Sequence, residues 1–385
     1  MSLFFKRGFT LTDVGVSPRS GSTTGVPVVN GETAMRASAV WACLRLRADL
    51  ISTMPIDVYR KVNDVNVNVN LPPLLVTPSP GVLANEWFYS TQMDLDRYGN
   101  CYGIVTSRDA AGKPSAIELI PAASMVVRGK GATITEYASG TNSWKPADVW
   151  HEKQYTVAGI PVGLSPITHA AWSIGGYLAA QKFALDWFGA GAAPAGVLKS
   201  TDQKMIPTSV MDAVKARFKL AVQDRDLFVT GKDWEFQPAE QDAAGSGWLE
   251  QMRYGVVDIC RFLGVPADMI DGGQSGSSIT YANVTQRNLQ LLIVNLGPAI
   301  IRRELAISTL ALATPRFMKF NTDALLRLSP ETRTAVILSQ VAGRTLAPSE
   351  ARAIDDRLPF TDLQLAEFDR LWGKTNQPAQ GVSTS

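Results

Sequence analysis

Residues 246–312 decide the fold and read SGWLEQMRYGVVDICRFLGVPADMIDGGQSGSSITYANVTQRNLQLLIVNLGPAIIRRELAISTLAL. The first part predicts a helix that begins at a Ser246 cap and ends at Gly264 and Pro266. Its apolar residues recur every three or four positions and are Leu249, Met252, Val256, Ile259, Cys260 and Leu263. A second stripe predicts a long helix and comprises Leu289, Leu292, Ile293, Leu296, Ile300 and Leu305.

Two features set the second helix apart. An uncharged loop precedes it and consists of Gly272, Gly273, Gln274, Ser275, Gly276, Ser277 and Ser278. Pro298 lies inside the apolar stripe. Because proline has no backbone N–H, it costs a helix interior roughly 3 kcal/mol unless packing compensates, and it predicts a bend there.

A known family has the same order of features. The chain resembles the portal proteins of tailed bacteriophages, in their HK97-like group, over about residues 33–360. The similarity within the quoted stretch lies in Arg261-Phe262-Leu263-Gly264-Val265-Pro266, the glycine-serine loop, Tyr281-Ala282-Asn283 and Leu296-Gly297-Pro298. Further matches are Ala39 to Cys43, Met54 to Tyr59, Gly163 to Pro166, Gly191 to Leu198 and Leu346 to Arg352.

The resemblance implies an α+β subunit that assembles into a ring. The implied parts are a flexible N-terminal arm (1–32), an α/β wing (33–165), a first stem helix (166–190), a small α/β clip (191–245), a second stem helix (246–264), a channel loop (265–280), a long kinked helix (281–312), a helical crown (313–372) and a polar tail (373–385). A head-to-tail contact that closes on itself produces such a ring.

The composition is that of a globular protein that does not hold nucleic acid through a general basic surface. The chain has 385 residues, 45% hydrophobic and 19% charged, with a formal net charge of +2. Tight non-specific DNA binding rests on many phosphate contacts, each with a salt slope near 0.9. Three widely spaced cysteines suggest neither a disulfide framework nor a zinc site. We expect a soluble protein of a reducing compartment, without a signal peptide or membrane span.

Enzymatic motifs are incomplete in this sequence. Gly373-Lys374-Thr375 ends like a phosphate-binding loop, but Phe368 stands where the first glycine is needed. The segment from Gly163 to Ile167 lacks the second glycine of a serine-hydrolase elbow. Only His151 and His169 are available for a triad or a histidine-rich metal site, and we expect His151 to be structural.

The acidic pairs Asp94/Asp96 and Asp355/Asp356 are interpreted as solvated faces or caps rather than a nuclease centre. We therefore predict no catalytic residue, no metal ligand and no cofactor.

Two candidate functional segments have competing interpretations. The loop from Gly272 to Ser278 is either a flexible connector or, as the resemblance implies, the channel loop that faces DNA. Small neutral side chains suit a sliding duplex, whereas arginines would hold it. The segment from Lys199 to Asp242 is either an exposed mixed-charge surface or the clip's docking surface. Its basic residues are Lys199, Lys204, Lys215, Arg217, Lys219, Arg225 and Lys232.

Other segments have similar alternatives. The N-terminal arm is either a loose end or a partner-binding segment. Arg36, Arg45 and Arg47 form either a solvated helix face or a contact with DNA or a neighbouring subunit.

The resemblance also implies a function and a set of partners. The function is a DNA conduit at one capsid vertex, used in genome packaging and ejection. The implied partners are further copies of the chain in a twelve-fold ring, double-stranded DNA, the terminase large subunit, the major capsid protein and head-tail connector or adaptor proteins. The implied location is the virion, after assembly in the host cytoplasm. The alternatives are another virion structural or connector subunit, or an α/β hydrolase or nuclease.

Overall fold

The computed structural model describes residues 9–10, 28–130, 133–189, 196–200, 207–224, 234–238, 246–270, 281–322, 330–354 and 357–372. The chain divides into two compact units, Met1–Thr322 and Asp323–Ser385. Both helices and antiparallel sheets are present, and the predicted α+β class is confirmed.

The described helices of the first unit lie between its strands along the chain. They are α1 (Ser38–Ser52), α2 (Pro73–Val76), α3 (Ala84–Tyr98), α4 (Pro166–His169), α5 (Ala171–Gly189), α6 (Thr208–Asp224), α7 (Ser246–Leu263), α8 (Tyr281–Gln290) and α9 (Gly297–Ala311). The second unit contains α10 (Pro330–Ala342), α11 (Pro348–Ile354) and α12 (Asp362–Trp372).

The strands form small antiparallel sheets. They are β1 (Phe9–Thr10), β2 (Ile56–Val62), β3 (Val65–Val69), β4 (Asn100–Arg108), β5 (Pro114–Ile120), β6 (Val126–Lys130), β7 (Thr133–Ser139), β8 (Asn142–Trp144), β9 (Val149–Lys153), β10 (Gly196–Ser200), β11 (Trp234–Pro238) and β12 (Arg316–Phe320). Their orders are β1-β6-β7-β8, β5-β4-β9, β12-β2-β3 and β10-β11.

Local chemistry explains several boundaries. Ser165 caps α4, because its hydroxyl accepts a hydrogen bond from the Thr168 amide at 3.2 Å. Gly264 adopts a φ of +65° directly after α7, a conformation that ends helices and favours glycine. Asn63 and Asp64 both have positive φ in the two-residue turn that joins β2 to β3, as hairpin turns of this length favour.

The larger hydrophobic core joins α1 to α7 and α5. Its fully buried members include Val40 and Leu44 from α1, Ile174 from α5 and Ile259 from α7. These residues recur at helical spacing in each segment, so packing three amphipathic faces together removes them from water. The quoted helix Ser246–Leu263 is thus held on its apolar side, and its other side remains exposed.

A 3-10 turn, Thr33–Arg36, precedes α1. Two predicted elements differ in the structure. The helix predicted over 166–190 is broken between α4 and α5 at Ala170. Residues 316–320, assigned to a helical crown starting at 313, form β12 and pair with β2. The division between the two units falls after residue 322.

The long helix changes type in its middle. Residues Leu291–Leu296 are π-helical and α9 follows, with Pro298 in its first turn. Pro298 cannot donate to the carbonyl of Val294, and a π turn accommodates such an interruption of the α-helical ladder. The predicted bend at Pro298 stays a prediction, because what the structure records is this change of helix type.

The predicted apolar stripe of the long helix is only partly buried. Leu292, Leu296 and Ile300 lie in the core, whereas Leu289, Ile293 and Leu305 are exposed. The π turn shifts the helical register, and the buried side continues along α9 through Ile300, Arg303, Ile307 and Ala311. The stripe prediction was therefore wrong in register.

Candidate functional site

A groove runs along the exposed side of α5 and α7. Gly176, Ala180 and Gly255 leave space between the two helices, and Trp172 and Tyr254 stand beside it. The groove encloses about 250 Å³. Trp172 is 62% exposed and Tyr254 is 59% exposed, so two large aromatic side chains border an open apolar surface. Such a surface favours contact with another macromolecule.

The glycines make room for this groove. A Cβ at Gly255 would lie 3.1 Å from Cδ2 of Tyr177, so the helices can approach closely only without a side chain there. A Cβ at Gly176 would meet no atom of the described residues within 4 Å, so a side chain at this position would instead project into open space. Gly176 thus offers a place where groove volume can be changed without disturbing the fold.

Polar contacts fix the groove floor. Ser173 on α5 donates a short hydrogen bond to Asp258 on α7. Asp258 also accepts from Arg261 at 2.7 Å. The Tyr177 hydroxyl lies 3.2 Å from the Ser38 hydroxyl and accepts from Gln181 at 3.1 Å. The two helices are therefore held to each other and to α1, which keeps the groove in a fixed shape.

A second exposed apolar surface lies on the long helix. The exposed side chains are Ile293, Val294, Ile301 and Leu305, each 57% exposed or more. They follow one another along the side opposite the buried positions Leu296, Ile300, Arg303 and Ile307. Because contiguous exposed apolar surface marks interaction sites, this helix also has the composition of an interface.

A buried network of charges joins the long helix to the rest of the unit. Arg303 on α9 donates to the Thr91 hydroxyl at 2.7 Å and to Gln92 at 3.1 Å, both on α3. Its Nε lies 3.5 Å from Oε1 of Glu152 on β9. Burial raises the pKa of Glu152, while Arg303 opposes that rise. Sequence reasoning missed this network because an arginine in a helix pattern reads as a solvent-facing residue.

Arg47 has neither of its predicted roles. Its side chain is 3% exposed and pairs with Asp96 at 3.0 Å, so it is available neither to solvent nor to DNA. Its guanidinium also lies 3.5 Å from the carbonyl of Asn295 in the π-helical segment. Arg36 and Arg45 are exposed, and their two interpretations stay open.

Asp96 is buried and Asp94 is half-buried, so the interpretation as a solvated face is wrong for Asp96. Asp96 accepts from Arg47 and from Gln92. Asp94 accepts the Ala122 amide at 2.9 Å, and burial raises the pKa of Asp94. The second acidic pair, Asp355 and Asp356, lies outside the described residues. In the part of the chain that the structure describes, His, Cys, Asp and Glu side chains form no group of three that suits a metal ion.

His151 is structural, as predicted. Its Nδ1 lies 3.0 Å from the Tyr137 hydroxyl and its Nε2 lies 3.0 Å from Oδ1 of Asn100. Asn100 Oδ1 also accepts the Gly163 amide, so Nε2 carries the proton and Nδ1 accepts. Burial lowers the pKa of His151 to about 3. The imidazole is therefore neutral and joins β4, β7 and β9.

The predicted site residues are only partly described. The channel loop, Gly272 to Ser278, lies outside the described residues, as do Lys204, Arg225 and Lys232. Lys215 and Arg217 are exposed on α6, which also carries Lys219, and Lys199 belongs to β10. The structure thus places two of the basic side chains on one exposed helix. Their docking role stays a prediction.

A family model described as "Phage portal protein" matches residues 38–356. The chain is 26% identical over 375 residues to the portal protein of Enterobacteria phage HK97, covering 90% of this chain and 86% of that protein. The crystal structure of an HK97 family phage portal protein from Corynebacterium diphtheriae has the same fold, with a TM-score of 0.63 at 17% identity, covering 80% of this chain and 99% of that one.

A second solved structure, the neck of a native gene transfer agent particle computed with C12 symmetry, has a TM-score of 0.56 at 19% identity. The match covers 90% of this chain and 98% of that chain. Of the helices that the structure describes, none combines the length and apolarity that a membrane crossing needs.

Proposed function

This chain belongs to the phage portal protein family, in its HK97-like group, and we propose that twelve copies close into a ring that conducts double-stranded DNA at one capsid vertex. The ring would admit the genome during packaging and release it at infection. The twelve-fold symmetry of the gene transfer agent neck supports the copy number. We place the assembled ring in the virion, after assembly in the host cytoplasm.

The groove between α5 and α7 is the observation that carries this proposal. A closed ring with one kind of contact needs two different complementary faces on each copy. The exposed aromatic rim of Trp172 and Tyr254 provides one such face. The exposed stripe of Ile293, Val294, Ile301 and Leu305 provides apolar surface of similar character on another helix. Covering both with neighbouring copies removes this surface from water.

Substitutions at the groove test whether the chain forms a ring. We expect the purified full-length chain to form rings in electron micrographs and to scatter light as a large oligomer. Trp172→Asp and Gly176→Trp both alter the groove without filling the core, and both should give predominantly monomers with an unchanged circular dichroism spectrum. Val76→Asp, at an equally exposed apolar position of α2, is the matched control and should still form rings. A wild-type chain that stays monomeric at high concentration would refute the ring.

For the tunnel we propose the segment from Gly272 to Ser278, on the strength of its composition. An uncharged lining of glycine, serine and glutamine lets DNA slide, because no fixed cation holds a phosphate. Shortening this segment should reduce packaged or retained DNA while rings still form. Shortening the polar tail at 373–385 is the control. Capsids with normal DNA content after the loop deletion would contradict the proposal.

We also propose a docking surface for the packaging motor and the connector proteins in the clip, residues 191–245. Lys215 and Arg217 are exposed on α6, and this exposure supports the assignment. Reversing both charges should weaken capture of the terminase large subunit or of a connector protein, in a salt-sensitive way. Reversing Arg45 is the control for overall charge. If the charge-reversed chain captured every partner as well as the wild type, the clip would not be the docking surface.

The mechanism we propose is conduction and docking, in which the chain makes or breaks no covalent bond. The family is structural, which supports this view. The rival hydrolase or nuclease hypothesis predicts cleavage of DNA in the presence of Mg²⁺ or Mn²⁺. A nuclease assay on the purified ring with each metal therefore separates the two. Cleavage that disappears with a substitution in this chain would favour the enzyme.

A further inference from the structure

Two of the three cysteines meet inside the larger core. Cys43 on α1 and Cys260 on α7 are 217 residues apart in sequence, and their sulfur atoms lie 3.7 Å apart. Cys43 is 0% exposed and Cys260 is 1% exposed. The third, Cys101, lies on β4 opposite Glu152 of β9. The chain therefore contains one thiol pair and one solitary thiol, all in the same unit.

The two thiols are in hydrogen-bond contact. One thiol donates its S–H to the sulfur of the other, and this contact lowers the pKa of Cys260 while it raises the pKa of Cys43. Arg47 lies one helical turn further along α1, and its positive charge opposes the rise in the pKa of Cys43. The thiolate is the reactive form of cysteine. Because the two sulfurs lie 3.7 Å apart, the thiol that loses its proton first has its partner within reach.

We propose that Cys43 and Cys260 are a redox pair that a peroxide converts into an intramolecular disulfide, which ties α1 to α7. In the first step the Cys260 sulfur attacks hydrogen peroxide, the O–O bond breaks, and Cys260 becomes a sulfenic acid with release of water. In the second step the Cys43 sulfur attacks the Cys260 sulfur, the S–O bond breaks, and a second water leaves. The sum is two thiols and one peroxide giving one disulfide and two waters.

The geometry suits closure. A disulfide needs about 2.05 Å between the sulfurs, so the two atoms must approach by about 1.7 Å from their present 3.7 Å. The core that contains the pair also contains the methionines Met35, Met93, Met252 and Met269. Methionine is unbranched and fills irregular space adaptably, so the surroundings can follow such a shift.

Burial determines which oxidants can reach the cysteine pair, and the solitary Cys101 cannot react in the same way. A close-packed core admits a molecule as small as peroxide far more readily than an oxidised peptide thiol such as glutathione disulfide. Cys101 has a pKa raised by burial and no second cysteine at hand, so it cannot complete the second step. The setting rests on the proposed function, because a virion assembles in a reducing cell and then leaves it. The reaction itself lies within one chain and does not require a ring.

The test counts thiols in the full-length protein. Monomer and ring fractions are exposed to millimolar hydrogen peroxide and quenched with catalase. They are then denatured with an alkylating reagent and analysed by mass spectrometry of intact chains and of peptides. We expect alkylated thiols to fall from three to one, with peptides of Cys43 and Cys260 linked and Cys101 alkylated. The same result in both fractions keeps the outcome independent of ring formation.

Two variants sharpen the comparison. Cys101→Ser should still form the link, whereas Cys43→Ser should form none and leave Cys260 over-oxidised or alkylated. Three alkylated thiols in the wild type, after a peroxide dose that oxidises free cysteine in the same tube, would overturn the proposal. A linked peptide that contains Cys101 would also overturn it. Because the wild type and Cys101→Ser decide the matter, a folding defect in Cys43→Ser leaves the test intact.

Discussion

Replacing His151 with glutamine tests the hydrogen-bonded centre between β4, β7 and β9. In the folded chain Nδ1 accepts from Tyr137 and Nε2 donates to Asn100, so protonation of Nδ1 removes an acceptor inside a partly buried site. Glutamine retains an amide donor for Asn100 but cannot titrate. The substitution therefore removes the pH dependence and keeps part of the hydrogen bonding.

The magnitude follows from the two pKa values. An unfolded histidine has a pKa of about 6.5, whereas the folded-state pKa of His151 is lowered to about 3 by burial. Between these values the unfolded state binds more protons, so the free energy of unfolding falls as pH falls. The stabilisation is complete above pH 6.5 or so. At pH 5 it is smaller by about 2 kcal/mol, at about 1.4 kcal/mol per pH unit over roughly 1.5 units.

Urea unfolding at pH 7.5 and pH 5 measures this difference. Tryptophan fluorescence reports on the first unit, because Trp87 and Trp150 stack there with ring centroids 4.8 Å apart. We expect the pH 5 loss to be about 2 kcal/mol smaller in His151→Gln than in the wild type. His169→Gln, at the only other histidine, should behave like the wild type. Equal pH dependence in His151→Gln and the wild type would refute the assignment of a neutral, buried imidazole.

Two further substitutions have defined expectations in the same urea assay. Arg303→Met leaves the Glu152 carboxylate buried without its partner and should lower the free energy of unfolding by about 3–5 kcal/mol. Arg302→Met, on the exposed side of α9, is the control and should lower it by less than about 1 kcal/mol. Similar losses in the two variants would contradict the buried network. Gly99→Ala places a Cβ 2.0 Å from the Leu164 carbonyl oxygen at a φ of +71° and should cost several times more than Gly112→Ala, which has a φ of +75° and open space. Gly112→Ala is the control, and it measures only the cost of about 1 kcal/mol of placing alanine at a positive φ. Equal losses of stability in the two variants would argue against the close approach at Gly99.

Patterns that repeat within one segment predicted much of the fold. The helix predicted at 246–264 appears as Ser246–Leu263. Asp109 and Gly112, residue types typical of turns, lie between the paired strands β4 and β5. Caps and turn residues marked these boundaries because they satisfy the backbone locally. The family assignment is confirmed in the same way, since it rested on the order of such local motifs.

Errors arose where a distant part of the chain decides the outcome. Residues 316–320 form a strand because they pair with β2, and the sequence of the segment does not indicate that partner. Arg47 is buried because Asp96, on another helix, compensates its charge. The register of the long helix depends on the π turn before Pro298, which a regular 3.6-residue period cannot represent.

The sequence by itself determined where most helices and strands lie, which family the chain belongs to, and that no phosphate-binding loop or hydrolase elbow is complete. The tertiary structure alone decided which apolar faces remain open, at the groove of α5 and α7, and that Cys43 meets Cys260 across 217 residues. The physical reason is the separation in sequence between the residues that interact. Secondary structure follows from neighbouring residues through backbone hydrogen bonds and periodicity, whereas burial, ion pairing and thiol contact depend on residues that only the folded chain brings together.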